Sequence, residues 1–127
     1  MELVLDPRSF AVCRLAPTAP WPAPQPGATL YSATVTAGEL SVVCVEGDEP
    51  PGAQVEGGWR ALAVVGPLAF DLVGVIASIT VPLAAADIGV FVVSTFDTDL
   101  VLVKDVDLDT AIGVLGGAGH RVAPHAA

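Results

Sequence analysis

Apolar positions along this chain follow two rhythms, and the change from one to the other marks its organisation. Over residues 10–15, 28–35 and 40–45 the apolar side chains are dense, rich in β-branched types and bounded by turn residues, which predicts three strands. A fourth strand is expected over 59–65, ended by Gly66-Pro67. Beyond it the spacing lengthens. Leu72, Ile76, Ile79, Leu83 and Ala86 recur at alternating steps of four and three, which is one buried stripe of an α-helix over 71–86. Asp71 stands where it can cap that helix. Val73, Ala77, Thr80 and Ala84 form a second, largely apolar face, so the helix is expected to pack on a sheet with one side and on another chain with the other. Pro82 removes the backbone bond to Ser78 and predicts a kink there.

Residues 90–95 are apolar without alternation, the pattern of a strand covered on both faces. Asp97-Thr98 suits a turn, and 100–103 returns as the paired strand. Asp107 can cap a second helix with Leu108, Ala111, Ile112 and Leu115 inward, Asp109 near its positive end and Gly116-Gly117 closing it. Residues 120–122 suit a last short strand. The order from Trp59 to Val122 is βαββαβ, the ferredoxin-like arrangement, so the fold class is α+β.

The first half lacks helical spacing. Its connection over 16–27 holds five prolines, which predicts a stiff, polyproline-like surface path with Trp21 folded onto the body; a proline ligand for a partner domain is the alternative. Thr36 followed three positions later by Glu39 suits a single helical turn before the third strand. Residues 46–58, with Pro50-Pro51-Gly52 and Gly57-Gly58, form the clearest internal boundary.

A chain of 127 residues is long enough for one compact domain or two packed half-domains. With 53% apolar and only 15% charged residues it should leave apolar surface that self-association covers, and a homodimer is expected. The formal charge of −9 repels phosphate backbones and anionic bilayers, which excludes nucleic acid and membrane surfaces as partners. The uncharged stretch between Asp71 and Asp87 contains Gly74 and Pro82 and is too short to span a bilayer, so it reads as a core helix. The first residues carry acids and a proline where an export signal needs a basic patch and an apolar run, so a cytoplasmic location is expected. Cys13 and Cys44, each inside an apolar run, are expected as reduced, buried thiols.

Motifs for a metal or cofactor fail on spacing. Asp105, Asp107 and Asp109 suggest a calcium loop, but its glycine would fall on Thr110 and its closing glutamate on Gly116. The glycines over 116–119 follow a helix instead of opening one, so they form no phosphate cradle. His120 and His125 stand apart from any cysteine, serine or carboxylate motif and read as solvated or strand-edge histidines.

The text Gly66-Pro67-Leu68, then Phe70-Asp71-Leu72-Val73-Gly74-Val75-Ile76-Ala77-Ser78, Pro82-Leu83-Ala84, and Ile88 onward through Ser94-Thr95-Phe96-Asp97-Thr98-Asp99 resembles the ACT domain family. It is most similar to the tandem ACT-like branch that includes aspartate kinase regulatory modules and the cytosolic arginine sensor. The resemblance implies a complete ACT domain over 57–127 and a degenerate ACT-like half over 1–56, with residues 39–44 as a weaker echo. It implies regulatory binding of a free amino acid or similar small metabolite at an interface between ACT units, with no catalysis and no cofactor. By position, the ligand residues would be Asp71, Leu72, Gly74, Val75 and Ser78 at the helix start, and Ser94, Thr95, Phe96 and Asp99 at the strand end.

Those residue types suit a zwitterion. A helix start offers unpaired N–H groups to a carboxylate, and Gly74 permits close approach. Asp99, or Asp97, can take the ammonium, while the Ser94 and Thr95 hydroxyls supply neutral bonds. The plainer reading makes Asp71 a cap, Gly74 a packing residue and Asp97-Thr98 a turn. Two other classes stay open: an interaction module that controls an enzyme or transporter, and a small enzyme with Asp99 as base. The second lacks any further acid, base or nucleophile near that loop.

Overall fold

The computed structural model describes residues 1–124. In chain order these form β1 (Glu2–Leu15), β2 (Ser32–Val35), β3 (Leu40–Val45), β4 (Gln54–Val64), α1 (Val75–Ala85), β5 (Val90–Ser94), β6 (Asp99–Lys104), a 3-10 turn (Asp105–Asp107), α2 (Leu108–Gly117) and β7 (Arg121–Pro124). The chain divides into two compact units: residues 1–7 with everything from Arg60 onward, and residues 8–59.

The larger unit has the α+β, ferredoxin-like order β4-α1-β5-β6-α2-β7. Its strands lie in the order β1-β4-β6-β5, with β7 on the far side of β1. The first residues of β1 pair in parallel with β7, Glu2 opposite Arg121 and Leu5 opposite Pro124. This strand start was not expected, because Asp6, Pro7 and Arg8 interrupt the apolar pattern; backbone pairing on both sides carries it instead.

Leu3, Leu62, Val64, Ile79, Leu83, Val101, Val103, Ala111 and Leu115 build the core, each at most 2% exposed. Each such large side chain contributes roughly 1.5 to 3 kcal/mol by leaving water. The predicted helical stripe holds at Ile79 and Leu83, with Ile76 and Ala86 packed beside them. It fails at Leu72, which is 51% exposed. The reason is the helix start: Gly74 is the first cap, in the left-handed region at φ 81°, so α1 begins at Val75. Asp71 therefore does not cap it and lies in the preceding turn, where Leu72 N–H donates to Ala69 O at 3.1 Å. Asp107 does precede α2, but its side chain makes no capping bond. Nor is β5 covered on both faces; it is the last strand in the order, and Val92 is 38% exposed.

In the smaller unit β3 lies between β2 and β1, antiparallel to both, with Val35 and Leu15 both opposite Leu40 at the start of β3. Ala11, Cys13, Leu40, Val42 and Cys44 form its core. Residues 36–39 are a hairpin loop, not a helical turn. Thr36 N–H donates to Glu39 O at 2.9 Å, and Gly38 N–H donates to the Thr36 hydroxyl at 3.2 Å, so the threonine serves its own loop. The expected boundary over 46–58 is shorter, since β4 starts at Gln54. Along the proline-rich connection Tyr31 Oη donates to Pro22 O at 3.1 Å, but Trp21 is 57% exposed and does not fold onto the body.

A cleft at the mouth of helix α1

Three segments of the larger unit converge on one cleft: the strap over 66–74, the first turn of α1, and the β5–β6 hairpin. The strap touches the hairpin at Gly66, where a Cβ would stand 2.9 Å from Asp97 O, so only glycine fits. Two residues on, Leu68 N–H donates to Asp97 O at 2.6 Å. The hairpin closes itself, with Thr95 N–H donating to Thr98 O at 2.8 Å and Thr98 N–H donating to the Thr95 hydroxyl at 3.2 Å. Thr98 Oγ1 donates to Val64 O at 2.7 Å, which ties the loop to the end of β4.

Between strap and hairpin lies a cleft of about 320 Å³, within the range of small-molecule sites. Leu68, Ala69, Phe70, Leu72 and Val75 line one side and residues 94–99 the other. The Phe70 and Phe96 rings meet edge to face at 4.6 Å across the mouth, and both are more than three-quarters exposed. On the hairpin, Ser94 Oγ donates to Asp99 Oδ1 at 2.7 Å and fixes that carboxylate. The charged side chains in the lining are Asp97 and Asp99, so the cleft favours a cationic group on that side.

The start of α1 has the opposite character. No side chain caps it and no acid stands in its first turn. Since Ser78 N–H already donates to Gly74 O at 2.9 Å, the helical bonds leave the N–H groups of Val75, Ile76 and Ala77 unpaired.

Of the residues named from sequence, Leu72, Val75, Ser94, Thr95, Phe96 and Asp99 line this cleft. Asp71, Gly74 and Ser78 are outside its lining. Ser78 is exposed and bonds back to its own helix, its hydroxyl donating to Val75 O at 2.7 Å. Sequence reasoning did not name Leu68, Ala69 and Phe70 as wall residues, although Gly66-Pro67-Leu68 and Phe70 belong to the text that resembles the ACT family. Elsewhere, Cys13 and Cys44 are buried free thiols, as expected. Burial pushes both upward in pKa, Cys44 to about 12, with the neighbouring Cys13 as a further cause. His120 is neither solvated nor at an edge: it is buried, with Nε2 2.8 Å from Ser78 O. His125 lies outside the described residues. Among the described residues no three His, Cys, Asp or Glu side chains cluster as a metal site. No helix among them is long and apolar enough to cross a membrane.

The ACT domain family model matches residues 54–116, a span that contains the whole cleft. Residues 54–116 belong to the ACT domain family. An N-terminal-domain family model matches residues 8–51. Subunit 1 of the cytosolic arginine sensor for mTORC1 from Homo sapiens is 45% identical over 58 residues, which are 45% of this chain and 18% of that protein; the Bos taurus protein matches equally. The chain thus spans under a fifth of the length of the curated relatives it matches. A crystal structure of the Agobacterium tumefaciens protein Atu0741 is 36% identical, with a TM-score of 0.89 over 99% of this chain and 94% of that one. The regulatory subunit of aspartate kinase from Thermus thermophilus shares the ACT fold, at 12% identity and a TM-score of 0.62, over 91% of this chain and 95% of that one.

Proposed function

We propose that this chain is a regulatory ACT protein, not an enzyme, that binds a free amino acid or similar small metabolite in the α1 cleft. The observation that carries the reading is the joining of opposite chemistries on one cleft: free amides at Val75 begin one wall, and the Asp99 carboxylate lies on the other. The ligand carboxylate sits at the α1 mouth, where the helix end contributes roughly 0.3 to 2 kcal/mol. Asp99, or Asp97, takes the ammonium, and the hydroxyls of Ser94 and Thr95 accept or donate beside it. Phe70, Leu72 and Phe96 receive the side chain. The human relative's name, a cytosolic arginine sensor, supports both an amino-acid ligand and a cytoplasmic location.

The exposed apolar rim supports a second ACT unit over the cleft. Val73 is 88%, Phe96 78% and Phe70 77% exposed, and a homodimer that covers them would place the ligand at an interface between ACT units. Residues 57–127 are the complete ACT domain of this reading, and 1–56 a degenerate ACT-like half. The same rim favours one other reading, a protein–protein interaction module that controls an enzyme or transporter without a ligand of its own.

A thermal-shift panel of free amino acids tests the choice. At least one member should raise Tm, since a ligand at 100 times its Kd adds about 2.7 kcal/mol. Asp99→Ala should abolish the shift without unfolding the protein. A flat panel with wild type sinks the amino-acid reading and leaves the interaction module.

A further inference from the structure

Pro82 lies inside α1, and it has no N–H for the carbonyl four residues back. That carbonyl belongs to Ser78. It is answered from outside the helix by His120, a ring only 8% exposed, whose Nε2 lies 2.8 Å from Ser78 O. A carbonyl only accepts, so Nε2 carries the proton and the imidazole donates. Nδ1 is buried and has no hydrogen-bond partner, so the ring is held through Nε2.

Both ends of this contact are held. His120 N–H donates to Leu115 O at 2.9 Å at the close of α2, and Leu115 is fully buried. Ser78, for its part, gathers the first turn of α1. Its N–H donates to Gly74 O at 2.9 Å, and its hydroxyl donates to Val75 O at 2.7 Å. The carbonyl that His120 grips therefore belongs to the residue that closes the turn bearing Val75, a wall of the cleft.

We infer that His120 is a positioning residue for the cleft: its side chain supplies the hydrogen bond that Pro82 removes and so holds the first turn of α1, with its free amides, in place. The consequence for ligand affinity rests on the reading of the cleft as an amino-acid site.

The test uses the full chain and four variants. His120→Phe keeps a ring and removes the donor, His120→Gln keeps a donor of similar reach, Pro82→Ala returns an N–H to the helix, and the fourth combines Pro82→Ala with His120→Phe. His120→Phe should lower Tm by roughly 4 to 10 °C, the loss of one buried bond in a domain of this size. His120→Gln should recover at least about half of that loss. In the Pro82→Ala background the same His120→Phe change should cost less than about half as much, because the helix can then satisfy Ser78 itself. Nitrogen-15 spectra of the wild-type imidazole should show the proton on Nε2. Backbone amide resonances of Val75, Ile76 and Ala77 should move in His120→Phe and stay in His120→Gln. Kd for the amino acid found by the thermal panel should rise about fivefold or more in the first, which is about 1 kcal/mol, and under about twofold in the second. Additive costs in the two backgrounds, or an Nε2 without a proton, would overturn the repair of the helix by His120. Unmoved amides in His120→Phe would overturn the positioning role. A wild-type protein that binds no amino acid sinks the cleft reading alone, because the Tm cycle and the amide shifts still decide the role of His120.

Discussion

Gly66→Ala should open the cleft from behind, by contact alone. Gly66 lies outside the left-handed backbone region, so alanine faces no conformational penalty there. Its Cβ would instead stand 2.9 Å from Asp97 O, 3.2 Å from Thr98 Cβ and 3.3 Å from Leu68 N. Two of those atoms are backbone and cannot rotate aside, so strap and hairpin must part by several tenths of an ångström. That motion strains the 2.6 Å bond from Leu68 N–H to Asp97 O and the 2.7 Å bond from Thr98 Oγ1 to Val64 O. Overpacking costs about 1 to 3 kcal/mol, and one lost bond adds about 0.5 to 1.5. A Tm loss of roughly 5 to 15 °C follows for a domain of this size. Gly89→Ala is the control, because a Cβ there meets nothing within 4 Å; it should stay within about 0.5 kcal/mol of wild type. Urea unfolding of the two variants beside wild type measures the difference, and native-state hydrogen exchange should show it concentrated at Leu68 and Thr98. If Gly66→Ala unfolds at the same urea concentration as Gly89→Ala, strap and hairpin are not in contact and the cleft has lost a wall.

Gly113→Ala, inside α2 with open space around its Cβ, should stabilise the protein by about 0.5 to 1 kcal/mol, read as a higher urea midpoint at unchanged slope. Leu83→Ala removes a side chain with no exposure from the core face of α1 and should cost about 2.7 to 5 kcal/mol in the same assay. Burial favours the thiol of Cys44 over the thiolate, so the folded chain releases that proton only near pH 12, against an ordinary value of 9.0. The unfolded chain holds fewer protons across that window, so this stabilisation is complete below pH 9 and is lost as pH rises toward 12; Cys44→Ala should flatten the alkaline limb of a stability–pH curve.

What the chain disclosed before its structure was known, and what it hid, divide by the range of the forces involved. The third strand, over 40–45, was read to the residue because its pattern, its turn and its burial all agree locally. Ile79 and Leu83 were legible for the same reason, since a period of 3.6 needs only neighbours. The start of α1 was not, because Asp71 and Gly74 are both good starting signals; the left-handed backbone at Gly74 decides between them, and composition does not encode it. The first half of β1 was hidden by Asp6, Pro7 and Arg8, which interrupt the apolar pattern, and its residues 2–5 are held by pairing with the distant β7. In the cleft, Ser94, Asp99 and Val75 were nameable from family motifs, whereas Leu68 to Phe70 form a wall only through the contact at Gly66.

Pro82 and His120 show how such a gap narrows. A proline inside a helix announces an unanswered carbonyl, so the sequence states that a donor is needed near Ser78. It does not say which donor, because the partner lies 42 residues away and carries no local mark. The same logic applies to the free amides at Val75, Ile76 and Ala77. They too are unmet demands written in the backbone, and Asp99 across the cleft repels the anion that would meet them unless that anion brings its own cation. A ligand bearing both charges, a few ångströms apart, satisfies both walls at once. A simple anion or a simple amine satisfies one wall and leaves the other unserved. Carboxylates without an amine and amines without a carboxylate should therefore both fail in the thermal panel where the parent amino acid succeeds.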